Sequence, residues 1–352
     1  MSPPAHPVLH RVPFVWTLVG LGCLSVFSIG VACALGSVPL PLSIQWKAIA
    51  STLTGAPSDI TPGMAHLYLH LRLPRVMAAY LVGVALACVG TLFQALLRNP
   101  LAEPYIIGVS PGASLGVTIF VALAAGGGAA SAGGYLWGRT TCAFVGGIVA
   151  VLAAYTLASK GRFLNLPDIL LAGIALGALG VAITSYLWIA VLQEFRGLLY
   201  WLMGNFGGIT WSRVVLLLIL VLPCVAVCWR LAPTLNLLSL GEEHAAYLGL
   251  NVGRFKQSLL VLGTLATAAT VSVCGVVGFV GIIVPHLVRR LVGSNNARVV
   301  PASSLLGGAF LVACDLVART IVAPLELPVG MLTAFIGAPF FLYVMRRTRD
   351  GA

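Results

Sequence analysis

The chain has 352 residues, of which 59% are hydrophobic and only 8% charged. A water-soluble surface needs roughly a quarter of its residues charged, so hydrocarbon is the main solvent and a soluble globular fold is excluded. The net charge of +11 does not mark a nucleic-acid binder, because the basic residues are scattered between apolar runs instead of gathering on one face with aromatics.

In lipid only helices and closed barrels satisfy their backbone. Barrel strands alternate polar and apolar residues, whereas the apolar runs here are continuous and predict an all-α polytopic protein. The first span is expected from Phe14 to about Leu35. Its Ala32-Cys33-Ala34 triplet imitates a signal-peptidase site, but the run exceeds the ~7–15 residues of a signal-peptide core and has the length of a span. Ala65–Leu97 follows, with Arg72 and Arg75 near its start, then Ile107–Ala125, which ends in the flexible stretch GGGAASAGG. Thr140–Ser159, Asp168–Leu192 and Trp211–Trp229 come next. Leu198–Phe206 is too short to cross and reads as a partial, re-entrant or interfacial helix. The uncharged run 257–288 is too long for one span and divides at Cys274-Gly275. Val299–Val322 and Val329–Met345 bring the count to ten. The expected organisation is a tail at 1–13, one transmembrane domain at 14–347 and a tail at 348–352.

Orientation follows from the basic residues. Of the 20 Lys and Arg, seven (Lys47, Arg72, Arg75, Arg139, Arg196, Arg213 and Arg319) fall on the side opposite the N-terminus, and the other thirteen share its side. The positive-inside bias therefore puts both termini in the cytosol, which agrees with an even number of spans. Glycines inside spans, such as Gly173, Gly177 and Gly180 or Gly275, Gly278 and Gly281, suit close helix packing.

Few residues offer chemistry. The eight cysteines form no CxxC and no Cys/His cluster, so neither metal ligation nor a disulfide framework is indicated. The only lysines are Lys47, Lys160 and Lys256, and none follows a glycine, so no P-loop is present. Of nine acidic residues only Asp315 lies inside an apolar run, and Arg319 sits one turn later as its expected partner. That leaves little for an ion-coupled carrier, which places carboxylates within spans. Glu242-Glu243-His244 is not HExxH, His286 has no identifying partner spacing, and no catalytic set emerges. The longest polar interruption, Leu231–Lys256, carries a short amphipathic helix between Leu240 and Leu250, with acids near its start and Gly249 near its end. It reads either as a docking element for a soluble partner or as an ordinary interfacial helix.

Five segments carry a resemblance: LRLPR (71–75), QALLRNPLAEPYIIGVSPGASLG (94–116), LNLLSLGEEHAAYLGLNVGRF (235–255), GFVGIIVPHLVRRLVG (278–293) and ELPVGMLTAFIGAPFFLYVMRR (326–347). Their order and intervals resemble those of permeases of ABC importers for iron-siderophores, haem and cobalamin. The resemblance implies a ten-helix inner-membrane homodimer with the pathway on its two-fold axis. It also implies two cytosolic subunits that bind ATP and Mg, a periplasmic binding protein, and no cofactor held by this chain. Leu240, Gly241, Glu242, Glu243, Ala245, Leu248 and Gly249, within a cytosolic segment of about 235–253, match the coupling helix that contacts the ATPase. Asn99 and Leu101 match the cytosolic gate, a buried asparagine holding the loop and a leucine closing it by dewetting. Arg72, Arg75 and Arg319 match residues that dock the binding protein, and Arg196 is a pathway candidate at the outer mouth. The implied cargo is a bulky iron chelate, siderophore or haem, with cobalamin as the alternative. An ion-coupled secondary transporter is the alternative of another class.

Overall fold

The structure, a computed structural model, describes residues 13–36, 41–54, 60–126, 132–159, 166–190 and 196–350. Its helices are α1 (Phe14–Ala34), α2 (Leu42–Thr54), α3 (Pro62–His66), α4 (Leu73–Leu96), α5 (Val109–Gly126), α6 (Ala132–Ala158), α7 (Leu166–Ala190), α8 (Arg196–Leu202), α9 (Trp211–Ser239), α10 (Glu242–Tyr247), α11 (Val252–Cys274), α12 (Val280–Val292), α13 (Asn296–Ala318) and α14 (Val329–Asp350). A π-helical stretch, Leu67–Arg72, joins α3 to α4, and a 3-10 turn, Pro104–Ile107, precedes α5. No strand occurs among the described residues.

Eight described helices are long and apolar enough to cross a membrane. With α5 and the 13-residue α12 they make up the ten apolar runs of the sequence. α12 differs from expectation. At 1.5 Å per residue it spans about 20 Å, short of a hydrocarbon core about 30 Å thick, so it begins inside the layer. The chain breaks where the sequence indicates: α11 ends at Cys274, and Gly275 has φ +77°. Other boundaries moved because charged residues are accommodated within helices. α6 starts at Ala132 and includes Arg139, while α9 runs past Arg230 to Ser239. The α9 extension is held by Asn236, whose side chain donates to Asn295 and accepts from the backbone N–H of Asn296 at the start of α13. Of the glycine-rich stretch, residues 127–131 lie outside the described residues.

The layering follows side-chain size. α4 is the central helix, with 89% of its apolar stretch buried, against 11% for α1 and 22% for α7 and α14. An inner helix touching neighbours on every side needs small residues, because lipid offers no hydrophobic drive between helices and packing must do the work. α4 supplies Ala78, Ala79, Ala85, Ala87, Gly83 and Gly90. A methyl group at Gly83 would overlap the carbonyl oxygen of Gly307 on α13, and one at Gly90 would overlap the backbone of Gly281 on α12. On α7, Gly173 lies against the backbone of Ile107, 2.8 Å from where a Cβ would stand, and Gly177 and Gly180 receive Pro111. Gly275 and Gly278 do not serve a packed helix face as the sequence suggests; they belong to the break itself. Six of the eight cysteines are buried and all are free.

Overpacking a tight helix contact costs about 1–3 kcal/mol. Gly83→Val is therefore expected to lower the melting temperature of the purified protein by several degrees. Gly20→Val, where nothing lies within 4 Å of the added carbon, is expected to leave it unchanged.

Candidate functional site

Three groups of residues fall at defined places in this bundle. At one end, α10 lies between α9 and α11. Gly241 (φ +121°) and Gly249 (φ +86°) flank it in backbone conformations that side chains resist. Ala245 is fully buried beneath the helix, whereas Leu240, Tyr247 and Leu248 are 65%, 90% and 64% exposed. Glu242 pairs at 2.5 Å with Lys256 of α11, and Asn251 caps α11 by accepting from the N–H of Arg254. Of the seven residues singled out in the sequence, Glu242, Glu243 and Ala245 lie in α10 and Leu240, Gly241, Leu248 and Gly249 flank it; the unit is anchored by Ala245 and the Glu242–Lys256 pair, with apolar side chains left uncovered.

The loop after α4 lies at the same end. Asn99 is exposed, not buried as expected, yet it does hold the loop: its Oδ1 accepts from the N–H of Leu101 at 2.9 Å. Leu101 is half-buried. Arg98 (φ +47°) donates to the carbonyl of Leu238, tying this loop to the end of α9 just before α10. Beyond Leu101 the loop turns inward to the α11–α12 break. There Glu103 accepts from the N–H of Phe279, Tyr105 Oη accepts from the N–H of Val277, and Gln94 donates to the carbonyl of Gly281. Glu103 was not singled out from the sequence. Its signal was a lone carboxylate in the otherwise uncharged stretch from Asn99 to Gly108.

The opposite end gathers Arg72, Arg75 and Arg319, which line a cavity of about 290 Å³ with Glu326 and Gly207-Gly208. Arg72 donates to the carbonyls of Cys33 and Ala34, and Arg319 donates to that of Ala32. These are carbonyls of the last turn of α1, the negative end of a helix. Arg72 and Arg319 are each 5% exposed. Burial pulls the Arg319 guanidinium below its ordinary pKa, while Asp315 opposes that. The pairing of Asp315 differs from expectation. Its strong partner is Arg75 on α4, which donates through Nε and Nη2 at 2.9–3.1 Å, while Arg319 stands at 3.6 Å. Asp315 faces α4 across the helix contact, so the guanidinium fork of Arg75 meets it squarely. Arg75 also holds Glu326 at 2.8 Å. Arg196 opens α8, but its side chain lies outside the described residues.

The model of the FecCD transport family matches residues 23–347. The chain belongs to the FecCD transport family. It is 39% identical to the hemin transport system permease protein HmuU of Yersinia pestis over 91% of this chain and 93% of that one. It is 42% identical to the cobalamin import system permease protein BtuC of Halobacterium salinarum over 78% and 72%. Among solved structures, a metal-chelate type ABC transporter in an inward-facing conformation superimposes with a TM-score of 0.81 at 30% identity, covering 95% of this chain and 99% of the other. As a FecCD member the chain is an ABC transporter permease, a multi-pass inner-membrane protein whose ATP-binding subunits are separate chains.

Removing Arg75 leaves Asp315, 2% exposed, with only the longer contact to Arg319 at 3.6 Å; breaking a buried pair costs about 3–5 kcal/mol. Arg75→Ala is expected to destabilise the protein strongly in thermal melts, and adding Asp315→Asn to recover most of the loss.

Proposed function

We propose that this FecCD permease carries a bulky iron chelate, siderophore or haem, from periplasm to cytosol, driven by ATP hydrolysis in partner subunits. Two copies form the pathway, two ATP-binding subunits holding ATP and Mg sit on the cytosolic face, and a periplasmic binding protein delivers the cargo. The observation that carries this reading is the α10 unit: a six-residue helix between two left-handed glycines, with uncovered Leu240, Tyr247 and Leu248. A rigid knob of that kind suits a groove in a soluble motor. Its link through Leu238 and Arg98 to the Asn99–Leu101 loop gives motor movement a short mechanical route to a gate. The names of the Y. pestis and H. salinarum relatives favour haem and cobalamin respectively. We take an iron chelate as the first reading, which the identity to the haem permease over nearly the whole chain supports, with cobalamin as the alternative.

The α10 end is then cytosolic, as are both termini, and the arginine cavity is periplasmic. Docking by Arg72, Arg75 and Arg319 takes the form of an acidic side chain from the binding protein entering the 290 Å³ cavity that they line. An ion-coupled carrier is disfavoured because Asp315 is committed to Arg75 and Glu103 to the backbone of Phe279.

Co-purification with an ATP-binding subunit and ATP-dependent chelate uptake into proteoliposomes tests the reading; uptake that needs an ion gradient and no ATP would refute it. Gly249 has open space around it but a positive φ, so Gly249→Val strains only the backbone, by about 1–2 kcal/mol. It is expected to leave the protein folded while ATP hydrolysis continues with uptake reduced severalfold.

A further inference from the structure

Buried donors in folded proteins are nearly always paired. Among the described residues, five of the nine exceptions lie on α6, α7, α8 and the start of α9. Arg213, at the third position of α9, is 5% exposed, its side chain makes no hydrogen bond to a described residue, and its Nη2 is fully buried. Nε of Arg139 on α6 and the indole N–H of Trp201 on α8 are also buried without a partner. The Arg139 guanidinium stands 5.8 Å from the centre of the Trp201 ring, and the two arginine charges repel one another. Neither forms an ion pair among the described residues. The N-terminal end of α9 adds a third positive field.

A cavity of about 420 Å³ adjoins this cluster. Leu202, next to Trp201, lines it with Ser110, Ser114, Thr184 and Trp188. Thr184 Oγ1 and Trp188 Nε1 are again buried and unpartnered, and Trp188 packs in the same apolar cluster as Trp201. Of these five unpaired groups, the two arginines and two tryptophans can only donate. Acceptors are what the site lacks, and two cations call for a charged one.

We propose that Arg139, Arg213, Trp201 and Trp188 form an oxyanion subsite beside the α5–α7–α8 cavity, receiving an ionised carboxylate of the transported chelate. The inference rests on the import reading and narrows it: the cargo carries free carboxylates and is not one whose carboxyl groups are all amidated. A lipid phosphate has the same recognition chemistry, and the cavity, roomy enough for part of a large ligand, favours the chelate.

The test is binding to the purified permease in phosphatidylcholine nanodiscs, read by quenching of tryptophan emission. The probes are iron protoporphyrin IX and its dimethyl ester, the same ring without its two charges. The diacid is expected to bind at least about tenfold tighter, the scale of one charge-assisted hydrogen bond. The Arg139→Gln/Arg213→Gln variant is expected to bind both alike, and Arg139→Lys/Arg213→Lys to fall between. Equal binding by the unaltered protein, or a preference that survives the glutamine pair, would overturn the subsite. So would a preference abolished by phosphatidylglycerol in the discs but untouched by the arginine substitutions. Arg213→Gln is expected to hold or raise the melting temperature, since an unpaired buried charge is removed; a large fall would show a structural role and overturn the proposal. ATP-driven uptake separates the two readings. Equal uptake of diacid and ester removes the subsite and leaves import standing. A diacid preference in binding, without any ATP-driven uptake, removes import and leaves the subsite.

Discussion

Backbone groups inside an apolar layer must find partners within the protein, and the break between α11 and α12 is where this chain meets that constraint most severely. From Gly275 to Phe279 the helix ladder stops within the layer. The freed groups are taken up by elements distant in sequence. Glu103 and Tyr105 accept the N–H groups of Phe279 and Val277, and Asn205 donates its own N–H to the carbonyl of Cys274. Gly275 lets the backbone of Trp201 near the end of α8, and Gly330 that of Met203 just after it, pass at distances that a side chain would forbid. One break thereby fixes the loop after α4, the short α8 and the start of α14 against each other.

This arrangement explains how a chain so poor in polar residues places its few functional groups. The helices that do the packing, α4, α11 and α13, carry small residues and are the most buried. Charges are kept to the ends of these helices or paired across them, as Arg75 is with Asp315. At one end the loop from Arg98 to Leu101 is tied to α9, and α9 leads directly into α10. A force on α10 therefore reaches the loop through a single hydrogen-bonded joint, which is the connection an externally driven gate requires. At the other end three arginines are held close together because the last turn of α1 presents unpaired carbonyls, which absorb two of them. Among the described residues the Arg139–Arg213 pair has no such carbonyl or carboxylate partner, and this sets it apart from Arg72, Arg75 and Arg319.

Much of the architecture was legible from residue order because it depends on local properties. Apolar runs of span length, the division at Cys274-Gly275, the short helix before α9 and the glycine-bounded α10 all follow from hydrophobicity and the backbone preferences of glycine. The boundaries that moved did so where a charged residue, Arg139 or Arg230, is carried inside a helix and no run of uncharged residues can reveal it. The half-length of α12 was hidden for a similar reason: an apolar sequence looks the same whether it crosses the layer or starts within it.

Composition and residue order alone mark an all-α membrane protein lacking a P-loop lysine, and the motif order points to the permease family. Those properties reside in composition and spacing, which survive in a linear chain. That Asp315 belongs to Arg75 and not chiefly to the neighbouring Arg319, and that Asn99 holds its loop from an exposed position, emerges once the helices are packed. Packing alone put Glu103 at the break and brought Arg139 of α6 over the Trp201 ring of α8. Each of these depends on which faces of distant helices meet. That is set by the close approach of small residues along α4 and its neighbours, a property of pairs of helices that no single stretch of sequence contains.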